Sequence, residues 1–576
     1  MCPCLNVADR LSRVAAELPD QVAIVSPHNT SRWNRVTARE GSGNQYASVT
    51  FRALDREAST LARGFAELGI KSGMRIVLLV PAGIEFVTLV FALLRTGAVT
   101  VLVDPGLGHK HLLNCLEEVE PEGFIAVSKA QALRTLLRHR FARAHFNVTV
   151  GRRWFWGGPT LAQVRQRGTG STRSEAVTRA HDPAAIIFTS GSTGPPKGVL
   201  YTQQMFDTQV AEIQSAYDLR PGGVDLSCFP LFGLFNSAMG ITTVLPDIDF
   251  SRPATADPKK LLDTANDWQV TQSFASPAVW NKLSQYCQQN ACRIDSLRQV
   301  FSCGAPVPAD LLRRTLNSVH PQAKMHTPYG ATECLPVATI ESAEVLADTS
   351  AQTDQGAGMC VGRLFNSVEG KVIRISDDLI ESIADAQELP SGEIGELIVR
   401  GPQASPKYVT GWGDPKQKPT ATNDPNCLAK ISDGHTFWHR MGDVGYFDRE
   451  ERFWYCGRKS QRVQTKAGTL FTIPVESIFN TLPQVKRTAL IGVPHAGANL
   501  PVVVFDCKTK NTDKRVEADL RRISRSHSMT RSIEIFVSHS KMPVDIRHNS
   551  KILREVLTAW ARKLDLPRRY GFDQLA

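Results

Sequence analysis

A chain of 576 residues is too long for one simple core, so two or more domains are expected. Its hydrophobic fraction of 42% and charged fraction of 21% are those of an ordinary soluble globular protein. The net charge of +11 suits an anionic ligand or an acidic surface, but spread over so long a chain it selects neither.

The N-terminus reads without a signal peptide. The twelve cysteines lack metal-ligand spacing, Cys2 and Cys4 being too close for a zinc knuckle, so a reduced cytoplasmic setting is expected. Leu54, Ala58, Leu61, Phe65 and Leu68 recur at helical spacing, and Gly69 closes that helix. Arg75 to Val80 then reads as a strand, Ile84 to Arg95 as a helix and Ala98 to Val103 as a strand. This βαβ unit predicts a parallel sheet. Glu85 and Arg95 divide the apolar run from Ile76 to Val103 into pieces too short to span a bilayer, which argues against an integral membrane protein.

Arg134, Arg138, Arg140, Arg143, Arg152 and Arg153 follow, ending in Trp154-Phe155-Trp156. A solvated face ending in a packed aromatic turn is expected, with a nucleic-acid or membrane surface as the alternative. The apolar segment Ala184 to Phe188 reads as a buried strand. Short β-rich pieces with many Gly and Pro occupy Val361 to Tyr446. In the tail, Thr488 to Val493 and Val502 to Cys507 read as strands and Lys551 to Lys563 as a helix, with Ile552, Val556 and Trp560 on one side.

After the Ala184–Phe188 strand comes Thr189-Ser190-Gly191-Ser192-Thr193-Gly194-Pro195-Pro196-Lys197-Gly198. Small residues let the backbone N–H groups approach an anion, hydroxyls add donors and Lys197 adds a charge, so the loop suits nucleotide phosphates. It is not a Walker A loop, because Pro196 and Gly198 occupy positions that pattern reserves for Gly and for Ser or Thr. Cys303-Gly304-Ala305-Pro306 and Tyr329-Gly330-Ala331-Thr332-Glu333 add an aromatic ring able to stack on a purine and a carboxylate able to hold Mg²⁺. Gly442-Asp443 offers a carboxylate acceptor for ribose hydroxyls, with Gly457-Arg458 downstream, and Lys551 stands near the C-terminus. Each alone reads equally as a core tyrosine, a turn aspartate or a surface lysine; the ordered set does not.

Over essentially the whole chain these motifs resemble the adenylate-forming superfamily of acyl-CoA synthetases, luciferases and nonribosomal adenylation domains. The resemblance implies an α/β fold: a large N-terminal domain of two doubly wound α/β subdomains plus a β-barrel, and a small mobile α+β C-terminal domain. It divides the chain into an AMP-binding domain at 1–457, a hinge at 458–461 and a mobile domain at 462–576. It further implies ATP and Mg²⁺ as cofactors. The phosphates would be held by Thr189, Ser190, Gly191, Ser192, Thr193, Gly194 and Lys197, and the nucleoside by Gly304, Ala305, Pro306, Tyr329, Gly330, Thr332, Asp443 and Arg458. Glu333 and Thr193 would serve the metal, and Lys551 would bridge carboxylate and phosphate during adenylation.

Several positions depart from the usual acyl-CoA synthetase: Ser460 at the hinge, Leu470 where Arg is common, Asp545-Ile546-Arg547-His548-Asn549-Ser550-Lys551 as the closing motif, and Gly233 after Phe229-Pro230-Leu231-Phe232. Tyr329 to Val337, Trp438 to Asp443, Gly457 to Ser460 and Val544 to Lys551 are similar to the β-lactone synthetases of bacterial long-chain olefin biosynthesis. That similarity implies a 2-alkyl-3-hydroxy fatty acid as the small-molecule substrate, no nucleic acid, and the other olefin-pathway enzymes as partners in an assembly. A long-chain fatty acid–CoA ligase, an acyl-AMP ligase and a non-catalytic scaffold are the alternatives. Phe232, Leu234, Phe235 and Met239 with Gly233 line room for alkyl chains or pack a core. His326 and His548 are candidate bases by residue type alone.

Overall fold

Arg75–Leu79, Ile84–Arg95 and Val99–Leu102 form the strand, helix and strand predicted, and the two strands pair in parallel, Arg75 opposite Val99. The computed structural model describes residues 4–27, 34–37, 44–103, 108–188, 196–409, 424–509, 512–544, 551–566 and 570. The loop residues Thr189, Ser190, Gly191, Ser192, Thr193 and Gly194 and the motif residues Asp545 to Ser550, His548 among them, lie outside this set, as does Cys2.

A six-stranded sheet runs Phe146–Val150, Gly123–Val127, Arg75–Leu79, Val99–Leu102, Pro183–Phe188, Gly198–Thr202; all neighbours are parallel except the last pair. A second, eight-stranded sheet is parallel from Lys324–His326 through Gln299–Ser302, Gln272–Ala275, Val224–Ser227 and Thr242–Val244 to Val22–Ser26, and ends in two antiparallel strands. In the first sheet the strands Arg75–Leu79, Gly123–Val127 and Pro183–Phe188 are near-continuous apolar runs, as a parallel sheet buried on both faces requires, whereas the second also buries polar side chains such as Asp225, Gln272 and Ser302. Arg95, 1% exposed, is the one charge in the apolar helix Ile84–Arg95 to be sealed in the core, and it is paired with Asp55 at 2.5 Å.

The β-rich stretch is a third, antiparallel sheet in the order Tyr329–Ala331, Cys334–Thr339, Met359–Leu364, Phe453–Arg458, Thr436–Phe447, Gly395–Arg400, Glu369–Ile373. Among the described residues its two end strands do not pair with each other, so the expected barrel is an open sheet. The first of them, only three residues long, leads straight out of the parallel strand Lys324–His326.

The C-terminal part has its own sheet, Val485–His495, Ala498–Cys507 and Ile535–Ser538, around a core that includes Leu490, Val503, Phe505 and Phe536. The last helix is Arg554–Arg562, and its apolar face differs from expectation. Leu557 and Ala561 are fully buried whereas Val556 is 52% exposed. The buried row sits one residue further along than the predicted row, a rotation of about 100° on a helix. Ile552 and Trp560 still border that core.

Two other expectations change. In Trp154-Phe155-Trp156 only the last ring is buried; the other two lie against it at 5.5 and 5.1 Å but stay more than half exposed. In the segment around Gly233, a Cβ on that glycine would meet Val87 at 3.0 Å, and Leu234, Phe235 and Met239 are buried. Gly233 serves helix packing, and Phe229, Pro230, Leu231 and Phe232 remain partly accessible, Phe232 stacked on Phe274 at 3.8 Å.

Candidate active site

Both parallel sheets deliver motif residues from the C-terminal ends of their strands, where open α/β sheets bind ligands. Phe188 and Gly198 pair across two adjacent strands, so the ends of the 189–197 loop are held together. Ser302 leads into Cys303 and Gly304, which turns at φ +91°. His326 leads within three residues to Tyr329. Gly304, Pro306 and Gly330 are exposed, while Ala305, Tyr329, Thr332 and Glu333 are half-buried.

Asp443 and Arg458 stand directly opposite one another on antiparallel strands, with Arg458 Nη1 3.0 Å from Asp443 Oδ1. The other carboxylate oxygen accepts a 2.5 Å hydrogen bond from the Tyr329 hydroxyl. The Tyr329 ring lies 6.0 and 6.1 Å from those of Phe453 and Tyr455. Asp443 is 3% exposed. Burial raises its carboxyl above the ordinary value, while Arg458, the Tyr329 hydrogen bond and Lys551 pull it down.

Lys551 is thus within electrostatic reach of Asp443, and also of Cys303, whose thiol burial pushes up to about 12 against the pull of that lysine. Lys551 therefore lies near Asp443, the partner of Tyr329, and near the residue that precedes the Gly304 turn. Glu333 is near enough to act on both Asp443 and Arg458.

On the other flank of Glu333 lies a group with no sequence signal. Tyr408 donates from its hydroxyl to Glu333 Oε1 at 2.8 Å, and the Lys197 ammonium sits 4.9 Å from the centre of the Tyr408 ring. Burial lowers the Lys197 pKa, and Glu333 opposes the shift. Lys430 turns its ammonium inward to Ser405 O at 2.5 Å and His439 Nδ1 at 3.1 Å. Burial pushes that ammonium down to about 7, with Glu333 again opposing. His439, 2% exposed, is held neutral by burial and by Lys430. Tyr408 and Lys430 escape a motif search because they come from irregular strand ends, which register brings together: Val199 bridges Tyr408, and Lys430 pairs with His439.

His326 packs between Tyr217 and Phe301, ring centroids at 4.8 and 5.7 Å. Burial pushes its imidazole down to about 4, so it is a weak base near neutrality.

The AMP-binding enzyme family model matches residues 11–409. An olefin β-lactone synthetase of Xanthomonas campestris pv. campestris is 43% identical over 565 residues, covering 97% of this chain and 98% of that protein. Another, of Stenotrophomonas maltophilia, is 43% identical over 568 residues with the same coverage of 97% and 98%. Among solved structures, the amide bond synthetase McbA of Marinactinospora thermotolerans superposes with a TM-score of 0.74 at 20% identity, covering 96% of this chain and 99% of that one. The anthranilate CoA ligase AuaEII bound to anthranoyl-AMP gives a TM-score of 0.74 at 18% identity, with 98% of each chain covered; both establish the fold alone. By the family match and the full-length identity, the chain belongs to the AMP-binding enzymes and, among them, to the olefin β-lactone synthetase family.

Proposed function

We propose that this protein activates a 2-alkyl-3-hydroxy fatty acid with ATP and closes it into a β-lactone, releasing AMP and diphosphate. The observation that carries the lactone is the 43% identity, over nearly the whole of both chains, to proteins named for that product.

The adenylation half is supported by the convergence of Lys551, Asp443, Arg458, Tyr329 and Glu333 on one place. Asp443, buried and already facing Arg458, is suited to accept the two ribose hydroxyls, and the Tyr329 ring to lie against adenine. Among the described residues no group of three or more His, Cys, Asp or Glu side chains is placed to hold a metal. A lone Glu333 with the Thr193 hydroxyl fits a Mg²⁺ that keeps most of its shell on phosphates and water. When bound, such an ion would offset charge on the phosphates. Lys197 and the 189–195 loop would hold those phosphates, and Lys551 would steady both the substrate carboxylate and the α-phosphate as they approach.

The carboxylate oxygen attacks the α-phosphorus and diphosphate leaves. The substrate's own 3-hydroxyl oxygen then attacks the acyl carbon, its proton passes to solvent, and AMP leaves as the four-membered ring closes. The mixed anhydride supplies the driving force, and proximity makes the attack effectively intramolecular. We assign that step to positioning and not to His326, whose imidazole is too weak a base. Rotation of residues 462–576 about 458–461 would withdraw Lys551 between the two steps. Lys459, inside that hinge, is tied to Ser376 O at 2.9 Å and to Glu396 at 3.2 Å.

The test is product analysis. Purified protein receives Mg-ATP and a synthetic 2-alkyl-3-hydroxy acid, with and without CoA. A product one water lighter than the acid, formed without CoA and showing a β-lactone ring by NMR, is expected. A thioester formed only with CoA would make the protein an acyl-CoA ligase and overturn the reading.

A further inference from the structure

From residue 123 to residue 174 the sequence has no Asp or Glu, yet it holds Lys129 and nine arginines. Those ten charges leave a net of only +1 for the rest of the chain. The positive balance is local.

Eight of the ten charges divide into two sets; Arg134 bonds to Gln131 and Thr135, and Arg167 is exposed on the separate helix Leu161–Thr169. Arg140 pairs with Glu117, and Arg143 with Glu120 and Glu122; Arg165 and Arg173 pair with Glu57 and Glu67. Lys129, Arg138, Arg152 and Arg153 are exposed, and none of them is in an ion pair among the described residues. Beside them stand Leu133, Leu136, Trp154 and Phe155, exposed by 42, 72, 53 and 69%. These are four of the seven large exposed hydrophobics in the described chain, so the apolar exposure is as local as the charge.

The two segments form one built face. On the helix Ser128–Leu136, Lys129, Leu133 and Leu136 follow at i, i+4 and i+7 and share a side. Gln131 faces the opposite way, fully buried, and donates to Phe124 O and Val148 O at 3.2 and 2.9 Å. Ser128 Oγ donates to Arg152 O, which ties the helix to the following loop. Trp156, 5% exposed and donating to Thr149 Oγ1 at 2.8 Å, pins that loop, and the Phe155 and Trp154 rings lie 5.1 and 5.5 Å from it. The strand beneath, Phe146–Val150, is one edge of the six-stranded sheet, and Gly198–Thr202, beside the phosphate loop, is the other. The face is therefore separate from the nucleotide site.

We propose that this face seats the protein peripherally on an anionic lipid bilayer. Trp154, Phe155, Leu133 and Leu136 enter the headgroup boundary, while Lys129, Arg138, Arg152 and Arg153 lie over anionic headgroups. Exposed aromatic and aliphatic side chains alongside exposed cations, in a stretch without Asp or Glu from 123 to 174, are what such an interface selects. A nucleic acid would use the arginines and the rings, but two exposed leucines give it nothing to stack on.

The experiment is co-sedimentation of the full-length protein with phosphatidylcholine vesicles, with and without phosphatidylglycerol, at low and high salt. Binding to the phosphatidylglycerol vesicles at low salt, released by high salt, is expected. Arg152→Glu with Arg153→Glu should weaken it by at least about 25-fold, from the usual worth of a basic residue at an anionic surface. Trp154→Ser with Phe155→Ser should weaken it also at high phosphatidylglycerol content. Val177→Ser, exposed but outside this face, should leave it unchanged. All variants should retain ATP–diphosphate exchange, which shows that they fold. Absence of sedimentation with anionic vesicles, binding indifferent to both double variants, or tighter retention of a single-stranded oligonucleotide than of the vesicles would overturn the proposal.

Discussion

Arg554 forms a two-pronged pair with Glu476, one guanidinium nitrogen donating to both carboxylate oxygens at 2.6 and 2.7 Å. Glu476 also accepts the Leu490 N–H at 2.8 Å, and Arg554 reaches Gln461 at 3.2 Å. The pair stands three residues after Lys551 and fixes the start of the last helix against the helix Thr472–Asn480. That helix in turn packs on Gly457, where φ is +129° and a Cβ would come within 2.3 Å of Thr472 Oγ1. Contact therefore runs from Arg458 and Asp443 to the base of Lys551.

Removing Arg554 leaves Glu476 buried and unpaired, which costs about 3–5 kcal/mol. Arg554→Met should lose that much stability in chemical denaturation and lower the adenylation rate with little change in ATP affinity. The double variant Arg554→Met with Glu476→Leu should recover most of the stability and none of the rate. A double variant with a normal rate would show that the pair is structural only.

Lys551→Ala removes the cation that faces the reacting carboxylate and phosphate in the proposed reaction. Loss of one such group lowers kcat by about 10²–10³-fold. ATP–diphosphate exchange should fall by that factor, while ATP binding by calorimetry stays within a few-fold of the parent. Unchanged exchange would remove Lys551 from the chemistry.

Asp443 carries a pH signature. Burial holds its carboxyl above the ordinary value of 3.8, so it takes up a proton at a higher pH than an exposed aspartate. In the proposed reading the carboxylate accepts the ribose hydroxyls, so ATP binding should weaken on acidification from that higher pH. Stability runs the other way: the folded state keeps a proton the unfolded chain has lost, and stability falls as pH rises through the window between the two values. Asp443→Asn should abolish both dependences and weaken ATP binding about tenfold to a hundredfold, the worth of a hydrogen bond to a charged acceptor. Calorimetric titrations across pH decide it; an Asn variant with parental affinity would contradict the ribose assignment.

Much of this was legible in the sequence because local pattern and tertiary role coincide. The βαβ unit at 75–102 is written in apolar runs, and the motifs at 302–306 and 329–333 follow the ends of parallel strands, where chain order and site geometry agree, while Asp443 sits inside the strand Thr436–Phe447 and meets Arg458 through register. The open third sheet was not legible, because closure depends on pairing between Tyr329–Ala331 and Glu369–Ile373, two strands distant in sequence. Nor was the inner face of the last helix, where Arg554 reaches for Glu476 and sets the rotation that buries Leu557. Tyr408 and Lys430 carry no periodicity at all; only strand register sets them against Glu333.

Lys430 gives the sharpest test of that unheralded cluster. Its ammonium contacts Ser405 O and the Nδ1 of His439, two residues 1 and 2% exposed, so charging it means holding a cation among buried groups. Burial brings it down to about 7 from 10.5. Between those values the unfolded chain binds a proton that the folded protein lacks, so this lysine makes stability rise with pH from about 7 upward. Below that range both states are charged and the full cost of burial is felt. Lys430→Met keeps the stem and removes the titration. The difference in denaturation midpoint, parent minus Lys430→Met, should therefore climb steadily from neutral pH into the alkaline range. A flat difference would mean that the ammonium is charged throughout, stabilised by Glu333 more strongly than it is penalised by burial.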